Sequence, residues 1–211
     1  MPPAASTPID PAARARILQQ ARAHFFSHGY SRCTMDDLAA DLGMSKKTLY
    51  VHFASKDEIV GAIIQDLSDE VRREAQAILQ NRGLSFAEKL RCFLEVLLER
   101  MSAVEPRVLR DLQRFAPHLY AKTEEMRRKN VPFVFGRLVE EGQAGGLVRH
   151  DPTAAFAIEF LLHAVQGMLQ PDTLERLGLT PREAISRAID LFFGGLLTPA
   201  GRKQYEKSFP R

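Results

Sequence analysis

Helix-capping residues recur through the N-terminal quarter of the chain, and this punctuation constrains its fold more than any other feature. Asp10 stands before Pro11, and Thr34, Ser45 and Ser55 each precede a short run of helical hydrophobic spacing. A side-chain oxygen at such a position accepts the N–H groups that a helix start leaves unpaired, and Pro at the first helical position has no N–H to leave. The first helix is expected from about Pro11 to His28, with Ile17, Leu18, Ala21 and Phe25 on one face and Gly29 as its left-handed stop. Thr34 then caps a short second helix carrying Asp36 and Asp37 in its first turn and Leu38, Ala39 and Leu42 inward. Gly43 breaks it, and Ser45 opens a third helix whose apolar stripe is Leu49 and Phe53. Ser55 caps a long fourth helix marked by Ile59, Ile63 and Leu67, ending near Asn81, Arg82 and Gly83.

The helical period persists beyond Gly83. Phe86, Leu90, Phe93, Leu94, Leu97, Leu98 and Met101 form one broad face, and a short segment runs from Pro106 to Phe115. Another helix is expected from Pro117 to Gly142, bent or interrupted at Pro132, because that residue removes a backbone donor and crowds the preceding turn. Gly142, Gly145 and Gly146 with Asp151-Pro152 read as a turn, since no strand precedes them and no phosphate-loop spacing is present. Two strongly apolar helices, about 153–169 and 181–197, finish the fold. No strand alternation appears, so the fold class is all-α: an N-terminal tri-helical helix-turn-helix module over 10–55 after a flexible arm at 1–9, then a larger helical region over 56–211.

Charge decides little. The chain of 211 residues carries net +3, and residues 1–60 hold seven bases against six acids. Placement must carry any argument for nucleic acid. Two cysteines, Cys33 and Cys92, are too few for a disulfide scaffold, leaving idle thiols or a redox sensor. No uninterrupted apolar run reaches the roughly 20 residues a membrane span needs, and the N-terminus lacks the order of a secretion signal, so a cytoplasmic location is expected. His24 and His28 lie one turn apart but lack a nearby third ligand, so no metal and no cofactor are expected.

On the third helix, Leu49 and Phe53 turn inward, which leaves Lys46, Lys47, Tyr50 and Val51 projecting from the other sides. Lys46 and Lys47 are candidates for base or phosphate contact, and Tyr50 for thymine methyls or a phosphate. The alternative is an ordinary solvated face with Tyr50 half-packed. The ordered string Thr34-x-x-x-Leu38-Ala39-x-x-x-Gly43-Met44-Ser45-x-x-Thr48-Leu49-Tyr50-x-His52-Phe53-x-Ser55-Lys56 resembles the signature of the TetR family of bacterial transcriptional regulators. The match spans roughly residues 11–65. The resemblance implies double-stranded operator DNA as a partner and adds Thr48, His52 and Lys56 as phosphate contacts, with Thr34 in a similar place on the second helix. Farther on, only the helical plan and the Gly142…Gly146-Leu147…Asp151-Pro152 pattern are similar.

The same resemblance implies that the two apolar C-terminal helices pair with their copies in a homodimer, with Phe160, Leu161, Ala164, Ile189, Phe192 and Phe193 as interface candidates; an intramolecular core is the alternative. For an unidentified small-molecule effector, the cavity candidates on the middle helices are Phe93, Leu97, Met101, Phe115, His118 and Tyr120, followed by Met126, Phe133 and Phe135. His163, Gln166 and Met168 join them from the penultimate long helix. Aromatic and Met side chains make adaptable apolar walls that a few polar groups can orient. Arg127-Arg128-Lys129 and Arg107, Arg110 and Arg114 read as solvated faces. The expectation is a ligand-responsive repressor released from a palindromic operator by a largely apolar molecule. A helical hydrolase using His24 and His28, an activator and a ligand-free nucleoid factor are the competing readings.

Overall fold

A computed structural model describes residues 10–102 and 105–208, and among them it contains eleven helices. The first three are α1 (Pro11–His28), α2 (Met35–Asp41) and α3 (Lys46–His52). The long helices α4 (Lys56–Gln80) and α5 (Phe86–Ser102), the short α6 (Pro106–Phe115) and the long α7 (Pro117–Ala144) follow. The chain ends with α8 (Ala154–Met168), α9 (Pro171–Leu177), α10 (Pro181–Leu196) and α11 (Pro199–Ser208). The arm expected at 1–9 lies outside the described residues, as does the side chain of Met101.

Each early helix starts on the capping residue read from sequence. Asp10 accepts the N–H of Ala12, Ser45 that of Thr48 and Ser55 that of Glu58. Thr34 and Asp37 close a reciprocal capping box. Gly29 ends α1 at φ +82°, and a Cβ there would sit 2.9 Å from the Asp111 carboxylate, so both backbone and space call for glycine. Three elements depart from expectation. Helix α7 continues unbroken through Pro132, whose side chain faces solvent. Between and after the two apolar helices stand α9 and α11, both opening on Pro, which the hydrophobic period alone did not reveal.

Two apolar clusters form the interior. The first joins Ile17 and Phe25 of α1, Leu38 of α2 and Leu49 of α3 to Leu109 of α6, Leu119 of α7 and Leu174 of α9. The second packs Phe86, Leu90 and Phe93 of α5 with Leu138 of α7, Leu161 of α8 and Phe193 of α10. Helix α4 belongs to both: Ile59 and Ile63 lie in the first cluster, Ala75 in the second. At ~1.5 Å per residue its 25 residues span roughly 37 Å.

Candidate DNA-contacting face and internal cavity

The face of α3 opposite Leu49 exposes Lys46, Lys47, Thr48, Tyr50 and Val51. Leu49 and Phe53, fully buried, anchor the helix from below. Lys46 pairs across to Asp36 of α2 at 2.5 Å, whereas Lys47 has no ion-pair partner among the described residues. The Thr48 hydroxyl lies 2.8 Å from that of Ser45. Tyr50 is 49% exposed, far more than a packing role requires.

The flanking candidates are more engaged in structure. Thr34 donates its hydroxyl to Asp37 at 2.7 Å, which keeps that carboxyl below the usual range and places an anion beside any phosphate. His52 is buried, and its Nδ1 has no hydrogen-bond partner. Lys56 donates to the Tyr30 carbonyl at 2.9 Å with its ammonium over the Tyr30 ring, tying α4 to the loop after α1. Two donors remain on that ammonium for a further contact. Arg14, which sequence reading passed over, donates to the His52 carbonyl at 2.6 Å and stacks on Phe53, fixing the end of α3. Burial, reinforced by the hydrogen bond to Asp57, pushes the Tyr30 phenol up to about 12, so it stays protonated. Burial likewise holds the Cys33 thiol at about 12, far from the thiolate a redox sensor needs. His24 pairs with Asp41 at 2.6 Å, and no group of three metal-ligating side chains occurs among the described residues.

An apolar cavity of about 190 Å³ lies between the two clusters. Of the sequence candidates, Phe93, Leu97, Met126 and Phe135 line it. The other described candidates lie elsewhere. Phe115, His118 and His163 point to solvent, His118 reaching Asp57 at 2.8 Å, because the helix faces that carry them lie outside the packing. Tyr120 is buried below, bonded to Gln170; Phe133 packs under Arg72, and Gln166 and Met168 are half-buried away from the opening. Sequence reading missed Phe25 and Phe26 on α1 and Tyr30 in the loop after it, which wall the cavity from the DNA-contacting side. It also missed Thr123, Arg127 and Asn130 on α7. Arg127 was expected in a solvated run, but only Arg128 and Lys129 are exposed; Arg127 turns inward and pairs with Glu124.

The interface candidates divide sharply. Leu161, Ile189, Phe192 and Phe193 are buried in the chain's own second cluster and leave no surface for a second copy, which corrects the sequence expectation for these four. Both helices are apolar almost all round, so composition could not show which face α5 and α7 cover. Phe160 is exposed and Ala164 half-buried, and the outer surface adds Phe156 on α8 and Leu191 on α10, the latter 79% exposed.

Residues 17–63 match the family model described as bacterial regulatory proteins, tetR family. The HTH-type transcriptional regulator YvaF of Bacillus subtilis is 25% identical over 86% of this chain and 94% of its own length. The HTH-type transcriptional repressor DhaR of a Mycobacterium species is 23% identical over 92% of this chain and 94% of its own. Among solved structures, the complex of SmeT with triclosan superposes with a TM-score of 0.65 at 19% identity, covering 90% of this chain and 94% of that one. No described helix is long and apolar enough to cross a membrane. With the helix-turn-helix in place and regulators as its relatives over nearly the whole length, the chain carries the DNA-binding module of the TetR family and is a DNA-binding transcriptional regulator.

Proposed function

We propose that this regulator is a repressor: a homodimer places two α3 helices in successive major grooves of a palindromic operator and leaves it when a small, largely apolar molecule fills the cavity. The observation that carries this reading is the position of the cavity, walled by α1 and α4 on one side and by α5 and α7 on the other. A molecule bound there touches the DNA-contacting module itself, and filling the space changes how α1 and α4 sit. To act as an inducer it must bind the released arrangement more tightly than the DNA-competent one.

Lys47 and Tyr50 are the side chains with the freest reach to base edges, with Lys46 and Thr48 beside them. Lys56 and His52 act at the edge of this surface, the former from a position it also holds structurally. The exposed Phe156, Phe160 and Leu191 make an apolar surface of the kind that marks an interface, and they support pairing of α8 and α10 with a second copy. SmeT, a relative in fold, is itself described as the repressor of a multidrug efflux pump and is solved with triclosan, which supports a small-molecule effector here.

The test is fluorescence anisotropy on labelled DNA from upstream of the gene, with apolar compounds titrated into the complex. Release of the DNA by compounds that occupy the cavity supports the reading. Tight cavity binding with unchanged operator affinity overturns it.

A further inference from the structure

Buried polar side chains are costly unless something satisfies them, so their placement is informative. Among the described residues the buried polar or charged side chains are His52, Ser68, Lys89, Thr123, Arg127 and Asn130. Half of these, Thr123, Arg127 and Asn130, sit at i, i+4 and i+7 on one stripe of α7, and all three line the cavity. The remaining walls are almost wholly aliphatic and aromatic.

Each residue of the stripe is held by a partner on its protein side and keeps bonding capacity beyond it. Thr123 donates its hydroxyl to the Tyr120 carbonyl at 2.7 Å, which leaves the oxygen's lone pairs. Arg127 pairs through Nη1 with Glu124, and a guanidinium has five N–H donors. Asn130 gives one amide hydrogen to Ser68 at 3.1 Å and accepts from Arg72 at 2.9 Å, leaving its second amide hydrogen. The charges are balanced as well. Arg127 faces Glu124, and Arg100, the other cation on the cavity wall, is bound to both Glu70 and Glu74. A carboxylate entering here would lose its water and find no unneutralised cation on the wall, whereas a carbonyl or hydroxyl oxygen needs only a donor.

We propose that the cavity is selective for uncharged, mostly apolar molecules bearing a hydrogen-bond-accepting oxygen, read by the free N–H donors of Arg127 and Asn130 on this stripe. This rests on the reading of the cavity as the effector site. The space suits a single ring with a short substituent, since a dry apolar cavity of roughly 150 Å³ accepts benzene and this one is about 190 Å³. The two donors stand about 4.5 Å apart along the helix, so one oxygen can be met at two depths.

The experiment uses three probes of equal carbon count: butylbenzene, its ketone analogue butyrophenone, and 4-phenylbutyrate. Binding to the full chain is measured by calorimetry, for the wild type, for Asn130→Leu and Arg127→Met, and for the near-isosteric Thr123→Val, which guards against misfolding in the other two. The expected result is that butyrophenone binds the wild type and 4-phenylbutyrate binds far more weakly. Asn130→Leu or Arg127→Met should weaken the ketone about tenfold, equivalent to ~1.4 kcal/mol, and leave butylbenzene unchanged or tighter. Thr123→Val should leave the ketone's affinity nearly intact, since its hydroxyl proton is committed to Tyr120.

A carboxylate that binds more tightly than the ketone overturns the claim of neutrality. Substitutions that weaken ketone and hydrocarbon equally overturn the role of the stripe. Either result leaves the sensor reading standing if butylbenzene still fills the cavity. Failure of all three probes to bind removes the cavity from both proposals.

Discussion

Lysine 47 and tyrosine 50 differ from their neighbours in having little structural employment. Both stand on the solvent side of α3 while Leu49 holds the helix down, so truncation should leave the fold intact. Lys47→Ala and Tyr50→Ala are expected to lower operator affinity without shifting the melting temperature; a base contact should cost ~1–3 kcal/mol at one position and relax specificity there. Gel shifts on an operator mutated one base pair at a time measure this, and wild-type affinity in both variants would sink the assignment. Lys56→Ala should behave differently. It should weaken binding to every sequence and flatten the salt slope by about one unit, and it should also lower the melting temperature, because the ammonium holds the Tyr30 carbonyl and covers the Tyr30 ring. Asp37 offers a third residue-level check. Its carboxyl lies below the usual carboxylate range, first because of the Thr34 hydroxyl and then because of the Thr34 backbone N–H. A lowered folded-state pKa means the capping box stabilises above the ordinary value near ~4 and is lost as pH falls through the lowered one. An NMR titration of the Thr34 amide should therefore show a midpoint below that of a free aspartate, absent in Asp37→Asn.

Helices α8 and α10 show why patterns predict elements better than faces. Their apolar surface is continuous, and only the packing of α5 and α7 separates Phe160 and Leu191, outside, from Leu161 and Phe193, inside. The combined change Phe160→Glu with Leu191→Glu should yield folded monomers by sedimentation, with helical content retained. Leu161→Glu should instead unfold the chain, because it buries an unpaired carboxylate in the second cluster. A folded dimer carrying both surface glutamates would place the interface elsewhere. Element boundaries were legible wherever punctuation was chemical: Asp10-Pro11 and Gly29 bracket α1 to the residue. They were not legible for α9 and α11, whose runs are short and polar and whose only signal was Pro at the first position. The inward turn of Arg127 was hidden because two exposed bases follow it and make a run that looks solvated. Its spacing from Thr123 and Asn130 was visible, but nothing local says that a helix with three polar groups on one stripe buries that stripe.

At the scale of the molecule, the proposed reading ties ligand occupancy, through the cavity between the two clusters, to the attitude of α1 and α4. Phe93→Ala should enlarge the cavity, cost about 3–5 kcal/mol of stability as large-to-small aromatic changes do, and shift effector preference toward bulkier compounds; a melting curve and the anisotropy titration read the two effects separately. The position of α4 has a further consequence for anyone who would treat such a regulator as interchangeable parts. The obvious place to graft a foreign sensor is the cap at Ser55, yet the first cluster does not stop there: it borrows Ile59 and Ile63 from α4, Leu109 from α6, Leu119 from α7 and Leu174 from α9. A chimaera joined at residue 55 inherits a DNA-contacting module whose floor belongs to another protein. Successful exchange must carry those five hydrophobic positions along with the reading head, so heredity in this architecture is discontinuous in sequence even where the modules look separable.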